Sequence, residues 1–149
     1  MRAGFSLIET IMVVTMIAVF AAIALPRYVS SVQHYQLDLA AQRIVADLAL
    51  AQSRANNSST SVTLNFNPAS NNYQIVGLPA FDSPANTYTV NLAGSPYAVQ
   101  LTSAAFGSNS KIVFDGYGTP TQGGSIVITL GLEQHTITVD GTSGKAEIQ

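Results

Sequence analysis

A run of 21 residues, from Phe5 to Leu25, constrains this chain more than any other feature, because its only charged side chain is Glu9. About 20 predominantly apolar residues in a helix cross the hydrocarbon core of a bilayer. In lipid the backbone must hydrogen-bond to itself, so a single span has to be helical. The segment therefore predicts one membrane-spanning helix. Arg2 precedes this helix and Arg27 follows it, so the flanking charges predict no orientation.

The carboxylate of Glu9, at the start of the apolar run, leaves three interpretations open. An ionisable group in a span costs about 2.5–3.5 kcal/mol at the bilayer centre and less near the ends. The segment can be a secretory signal cleaved at Ala22-Ile23-Ala24, which gives a mature, secreted and soluble β protein beginning near Leu25. It can be a plain membrane anchor, in which Glu9 has no role. In the third interpretation Glu9 has a partner.

The segment Gly4-Phe5-Ser6-Leu7-Ile8-Glu9, followed by the apolar run, resembles the processing motif of type IV pilins and pseudopilins. The resemblance implies that residues 1–4 are a leader, that a prepilin peptidase cuts between Gly4 and Phe5, and that Phe5 is then N-methylated. It also implies that Glu9 pairs with the N-terminal amine of a neighbouring subunit and sets the register of assembly.

Elementary electrostatics supports this role for Glu9. Cleavage exposes an amine that is mostly cationic at neutral pH. The N-terminus of a helix is itself partly positive and favours a nearby carboxylate. A lone charge is costly in a medium of low dielectric, and a hydrogen-bonded partner of opposite charge offsets much of that cost.

Residues 29–57 continue the 5–28 transmembrane segment as an amphipathic helix. Apolar side chains recur at steps of three and four, namely Leu37, Ala41, Ile44, Leu48, Ala51 and Ala55. Polar side chains fall mostly on the other side of the helical wheel, which predicts that they are exposed; they are Asp38, Gln42, Arg43, Asp47, Gln52 and Arg54. Pro26 lies in the transmembrane segment and matches a proline of many pilins, and we expect it to kink the helix.

Residues 58–149 have the pattern of a β domain. Apolar residues alternate with polar ones in short runs bounded by Gly, Pro and Asn. The runs are Val62–Phe66, Tyr73–Ile75, Tyr88–Leu92, Tyr97–Leu101, Ile112–Phe114, Ile126–Leu130 and Ile137–Val139, with a possible last strand at Ala146–Ile148. The predicted fold is therefore α+β, with a long N-terminal helix packed on seven or eight antiparallel strands in two sheets or one large curled sheet.

A second resemblance concerns the C-terminal half. The segments "KIVFDGYGTP", "SIVITL" and "HTITVDGTSGK" resemble the H-type pseudopilin domain, which the type II secretion minor pseudopilin H shares with FimT-like minor pilins. This resemblance implies a minor subunit of a secretion pseudopilus or a type IV pilus that supports protein secretion and performs no catalysis. Its partners would be other pseudopilins or pilins, the prepilin peptidase and an inner-membrane assembly platform. It would cross the bacterial inner membrane once, with residues 58–149 in the periplasm.

The remaining chemistry of the sequence predicts no catalytic residues, no cofactor and no metal site. The chain has no cysteine, and its two histidines, His34 and His135, lie in no local metal-ligand spacing. DNA binding, known among FimT-like pilins, is the main alternative function. From residue 58 onward, however, there are two lysines against five acids, which is a poor match for a phosphate backbone.

Overall fold

The computed structural model describes residues 6–80 and 87–149, with only the backbone of Leu25 and Pro26 described. The chain divides into two compact units, Met1–Gln33 and His34–Gln149. Within these described residues, the secondary structure is one long helix, one 3₁₀ turn and eight strands. These elements are α1 (Leu7–Ser58), β1 (Val62–Asn67), a 3₁₀ turn (Pro68–Ser70), β2 (Asn72–Pro79), β3 (Thr87–Asn91), β4 (Gln100–Ala105), β5 (Lys111–Phe114), β6 (Gly124–Leu130), β7 (Glu133–Val139) and β8 (Ala146–Ile148).

The strands of the second unit, called the head below, form two four-stranded antiparallel sheets. The first sheet has the order β3-β2-β1-β5 and the second has the order β4-β6-β7-β8. In the first sheet Leu64 lies opposite Ile75 and Ile112, so one buried row crosses three strands. In the second sheet Ile126 lies opposite Ile137. The predicted α+β fold, with its long helix and eight strands, is confirmed, and of the two sheet arrangements the two-sheet one is present.

The later part of α1 packs its apolar stripe into the core of the head. Seven of its side chains are buried: Leu37, Ala40, Ala41, Ile44, Leu48, Ala51 and Ala55. All six residues that the periodicity singled out are among them. The stripe is rich in alanine, and small side chains let the helix backbone approach the sheets closely while leucine and isoleucine fill the remaining space.

The predicted strand over residues 97–101 is wrong at its start. Tyr97 and Val99 precede β4, which begins at Gln100. The backbone N–H groups of Tyr97 and Ala98 both donate to the carbonyl of Gly94, at 3.1 and 2.9 Å. Ala98 also has a positive φ of 55°, which an extended strand does not contain. The turn at Gly94 therefore continues through residue 98, although the alternation of apolar residues looks like that of a strand.

The expectation that Asp47 lies on the exposed polar face of the helix is also wrong. Asp47 is 4% exposed, and it is the one charged side chain that is buried among the residues that the structure describes. Its carboxylate accepts hydrogen bonds from the hydroxyl of Tyr73 at 2.5 Å and from that of Tyr88 at 3.0 Å. Nε of Arg43 also donates to it, at 3.1 Å. A buried carboxylate is tolerated when its oxygens are paired in this way.

The same four side chains, Arg43, Asp47, Tyr73 and Tyr88, link α1 to the first sheet and are called the Asp47 network below. Burial and the nearby carboxylate raise the pKa of Tyr73 well above its ordinary value, and the same causes raise that of Tyr88. Partial burial lowers the pKa of Arg43, but the attraction of Asp47 and Tyr88 outweighs this, so the net shift is upward. The neutral tyrosines and the cationic arginine are thus the forms that this site stabilises.

Gln52 is a second polar side chain of α1 that connects elements of the head. Its Nε2 donates to the carbonyl of Gly118 at 2.8 Å and to that of Ser143 at 2.7 Å. Gly118 belongs to the turn after β5, and Ser143 belongs to the turn between β7 and β8. One amide group of the helix therefore holds one turn from each sheet.

We expect Gln52→Ala to lower the free energy of unfolding by about 1–2 kcal/mol, because two carbonyls lose their donor. Gln42→Ala is the matched control, since Gln42 is exposed on the same helix. Urea unfolding of the full chain in detergent, followed by near-UV circular dichroism of its six tyrosines, measures both variants. Equal losses in the two variants would show that the contacts of Gln52 contribute nothing beyond helix propensity.

Candidate assembly surface

The N-terminal unit presents an apolar helix surface whose first turn carries an acid. Helix α1 begins at Leu7, and the carbonyl of Ser6 accepts the backbone N–H groups of Glu9 and Thr10 at 3.1 and 3.2 Å. Glu9 therefore lies in the first turn, where N–H groups without intrahelical partners make the helix end partly positive. The acid thus lies in the first turn of the apolar helix, and its role in assembly stays a prediction.

Large apolar side chains are exposed along this part of the helix, beginning in its first turn. Eleven of them between residues 7 and 23 are half or more exposed: Leu7, Ile8, Ile11, Met12, Val13, Val14, Met16, Ile17, Val19, Phe20 and Ile23. A soluble protein rarely exposes a contiguous apolar surface of this extent, which marks contact with lipid or with other chains. We call residues 7–24 of α1 the apolar span.

The two threonine side chains inside the apolar span, Thr10 and Thr15, hydrogen-bond to their own helix. Thr15 Oγ1 donates to the carbonyl of Ile11 at 2.5 Å, with the carbonyl of Met12 at 3.0 Å. Thr10 Oγ1 makes the same kind of contact with the carbonyl of Ser6 at 3.4 Å. A hydroxyl bonded in this way can enter hydrocarbon at low cost. By length and composition, α1 is able to cross a membrane.

Two of the predicted processing residues, Gly4 and Phe5, lie outside the described residues, and so does the leader 1–4. Helix α1 continues through position 26. The kink expected at Pro26 stays a prediction.

The turns quoted for the resemblance of the C-terminal half lie against the end of α1. A Cβ on Gly116 would lie 2.7 Å from the carbonyl oxygen of Ser59, and Gly144 has a positive φ of 72°. A Cβ on Gly144 would also approach Nε2 of Gln52 to 2.8 Å. The glycines of "FDGYG" and "TSGK" are therefore required by close approach of the helix and by backbone conformation.

Asp140 closes the second of these turns. Its carboxylate accepts the backbone N–H groups of Ser143 and Thr142, at 2.6 and 3.0 Å, and the hydroxyl of Ser143 at 2.8 Å. These hydrogen bonds, chiefly those from Ser143, lower the pKa of Asp140 below its ordinary value. The turn "DGTSG" is thus fixed by a side chain that mimics a backbone acceptor.

Comparison with known proteins decides the family. The profile of the family described as "Type II transport protein GspH" matches residues 40–143, which is more than half of the chain. This chain belongs to the GspH family. The matched region contains the Asp47 network, the Gln52 contacts and the turn at Gly116, and it ends at Ser143, one residue before Gly144, while the apolar span precedes it. A search of curated protein sequences gave no significant match.

Solved structures support the fold of this GspH family member. The type IV minor pilin FimU of Pseudomonas aeruginosa PAO1 is 17% identical, with a TM-score of 0.55, over 78% of this chain and 88% of that one. The minor pseudopilin EpsH from the type 2 secretion system of Vibrio cholerae is 14% identical, with a TM-score of 0.56, over 76% of this chain and 96% of that one. The predicted resemblance to H-type minor pseudopilins is confirmed, and the chain is a minor subunit of the type II secretion or type IV pilus kind.

The two lysines of the head lie apart from each other in the fold. Nζ of Lys145 contacts a carboxylate oxygen of Glu147 at 2.8 Å, and both side chains are exposed. This contact raises the pKa of Lys145. Lys111 begins β5 in the first sheet and pairs in register with Asn65. Because lysine–carboxylate pairing competes with phosphate contacts, this arrangement gives little support to nucleic-acid binding.

Proposed function

We propose that this GspH family member is an inner-membrane minor pseudopilin that enters a periplasmic filament or its tip and supports protein secretion. Prepilin peptidase removes residues 1–4, and the new N-terminal residue, Phe5, is methylated. The apolar span holds the chain in the membrane until an assembly platform transfers it to the filament. The head stays in the periplasm.

The observation that carries this proposal is the exposure of the apolar span behind an acid in its first turn. Leu7 and Ile8, the first two residues of the helix, are 80% and 71% exposed. In the membrane this surface contacts lipid, and in a filament the equivalent surfaces of neighbouring subunits contact one another. Burying such a surface gains about 25 cal/mol per Å² when it leaves water. The helix can therefore exchange lipid for protein without exposing apolar area.

When the helix leaves lipid for the filament, Glu9 sets the axial position of each subunit relative to its neighbour. In the proposed filament its carboxylate pairs with the methylated amine at Phe5 of a neighbouring subunit. A carboxylate left alone in an apolar bundle is costly, so only the subunit position that provides the amine is favourable. Apolar contacts alone would allow sliding along the helix axis, because they have no direction.

The mature N-terminus tests the processing step. We expect a chain isolated from membranes of a host with a prepilin peptidase to begin at Phe5 with one added methyl group. Gly4→Val should leave the chain uncut, and Ala3→Val is a matched control that should be processed normally. A mature chain that begins near Leu25 would instead identify an ordinary secretory signal and would overturn the proposal. Intact-protein mass spectrometry and sequencing of the N-terminal peptide distinguish these results.

A further inference from the structure

Three metal-ligand side chains from distant parts of the sequence meet in the head. His34 and Asp38 lie one turn apart on α1, and His135 comes from β7. Nε2 of His135 lies 2.7 Å from Oδ1 of Asp38, and Nε2 of His34 lies 3.5 Å from Oδ2 of the same carboxylate. The two imidazole rings have their centroids 5.9 Å apart. We call these three residues the His-Asp-His cluster.

The fold positions each member of the cluster. Residues four apart on a helix lie on one face, so His34 and Asp38 point the same way. On β7, His135 alternates with Ile137 and Val139, whose side chains are buried, so its side chain projects from the core-facing side of the strand. The exposed fraction of the side chain is 18% for His135, 42% for Asp38 and 57% for His34. His135 is therefore held within the head, whereas Asp38 and His34 are accessible to solvent.

The geometry points to a binding site for a divalent transition-metal ion, and we propose that this cluster binds Zn²⁺ or an ion of similar preference. Candidate ligand atoms of all three side chains lie within 4.8 Å of one another. Ligand atoms of a tetrahedral zinc site lie about 3.3 Å apart, given bonds of about 2.0–2.1 Å. The side chains that would have to rotate to reach that separation, His34 and Asp38, are 57% and 42% exposed.

The ligand types decide which ion fits. Imidazole suits Zn²⁺, Cu²⁺ and Ni²⁺, whereas Ca²⁺ and Mg²⁺ prefer oxygen ligands in larger number. Two imidazoles and one carboxylate give a three-ligand site, and solvent exposure leaves a fourth position for water or for a side chain of another chain. Because the ligands come from α1 and β7, a bound ion would cross-link these two elements and stabilise the folded head.

The test uses the full chain in detergent, prepared without a polyhistidine tag and freed of metal with a chelator. Calorimetric titration with Zn²⁺ should show one site per chain, and Ca²⁺ at the same concentration should give no binding. Co²⁺ should give visible absorption bands of a nitrogen- and oxygen-ligated ion. Zn²⁺ should also raise the Tm of the head. Loss of a residue that only orients a metal ligand weakens metal binding about 10–100-fold. Loss of a ligand itself, in His34→Ala or Asp38→Asn, should therefore weaken Zn²⁺ binding at least about tenfold.

Glu147→Gln is the matched control, because it removes an exposed carboxylate elsewhere on the head, and it should bind Zn²⁺ like the parent. His34 is largely exposed, so His34→Ala is a variant whose folding does not depend on the cluster, and circular dichroism checks this for each protein. The proposal is wrong if the parent does not bind Zn²⁺, if His34→Ala and Asp38→Asn bind it as tightly as the parent, or if Ca²⁺ binds equally well. None of these measurements depends on filament assembly, so their failure would leave the proposed secretion function untouched.

Discussion

Glu9→Leu is expected to reduce incorporation into the filament at least tenfold while leaving membrane insertion and the folded head unchanged. Leucine fits the bilayer better than glutamate, so a defect cannot come from weaker anchoring. The defect arises because the variant has lost the carboxylate of the apolar span, which is the group proposed to pair with a neighbouring amine. Glu9→Gln should show most of the loss, since an amide keeps the shape of the side chain without its charge.

Incorporation can be measured by disulfide cross-linking, because the chain has no cysteine of its own. Single cysteines at Val13, Ile17 or Phe20 report contacts between neighbouring apolar spans. A cysteine at Tyr117, which is 88% exposed on the head, reports random collisions. In the parent we expect a larger cross-linked fraction for a cysteine in the apolar span than for a cysteine at Tyr117. Glu9→Leu should reduce the difference between these two fractions.

Thr15→Val is the matched control for Glu9→Leu. It also removes a polar side chain from the apolar span, but Thr15 bonds only to carbonyls of its own helix among the contacts described. This variant should assemble like the parent. If Glu9→Leu and Glu9→Gln assemble as well as Thr15→Val, the register role of Glu9 is refuted, although the membrane anchor would remain.

Asp47→Ala is expected to cost about 2–4 kcal/mol of the free energy of unfolding, because two buried hydroxyls lose a charged acceptor at about 1–2 kcal/mol each, whereas Arg43 is 39% exposed and can be rehydrated. The substitution leaves the hydroxyls of Tyr73 and Tyr88 without their acceptor and Arg43 without its carboxylate. A domain of this size is stable by only about 5–15 kcal/mol. Denaturant unfolding of the full chain in detergent measures the loss, and reduced abundance in cells should accompany it.

Two further variants distinguish the stability contributed by the Asp47 network from a general effect of losing a charge. Tyr73→Phe removes one hydroxyl and should cost about 1.5–3 kcal/mol, because that hydroxyl donates to a charged group. Glu147→Gln removes an exposed acid and should change stability by less than about 0.5 kcal/mol. Similar small losses for Asp47→Ala and Glu147→Gln would contradict a stabilising role for the network.

The same network predicts a loss of stability in alkali. The pKa of Tyr73 is raised in the folded head, whereas in the unfolded chain this tyrosine ionises near its ordinary value of 10.0. The contribution of the neutral hydroxyl is therefore complete below pH 10 and decreases as the pH rises above it. In Tyr73→Phe the slope of stability against pH above 10 should be smaller than in the parent. An unchanged slope would show that Tyr73 ionises alike in both states.

Periodicity identified the helix and its apolar stripe correctly because both depend on local order along the chain. Leu37, Ile44 and Leu48 fall on one face of any α-helix, whatever that helix packs against. The same holds for most strands, whose alternation follows from the pleat. The exception is Tyr97, where the hydrogen bonds to Gly94 outweighed an apolar alternation that is typical of a strand.

Polar side chains of the helix were predicted less well because their environment depends on distant strands. The wheel placed Asp47 and Gln52 among exposed residues. Asp47 is buried because Tyr73 and Tyr88 provide donors, and Gln52 contacts the turns at Gly118 and Ser143. A helical wheel has no information about which strand lies opposite, so it treats every polar residue alike.

Composition and short-range periodicity were enough to predict an apolar helix able to span a membrane, an acid at the start of that helix, and an amphipathic continuation leading to a β domain. The three-dimensional fold was needed to show that the strands form two sheets, that Asp47 is buried, and that His34 and Asp38 lie next to His135. The last contact joins residues 97 positions apart. Such contacts depend on how the two sheets pack around the helix, and no local pattern of residues encodes that packing.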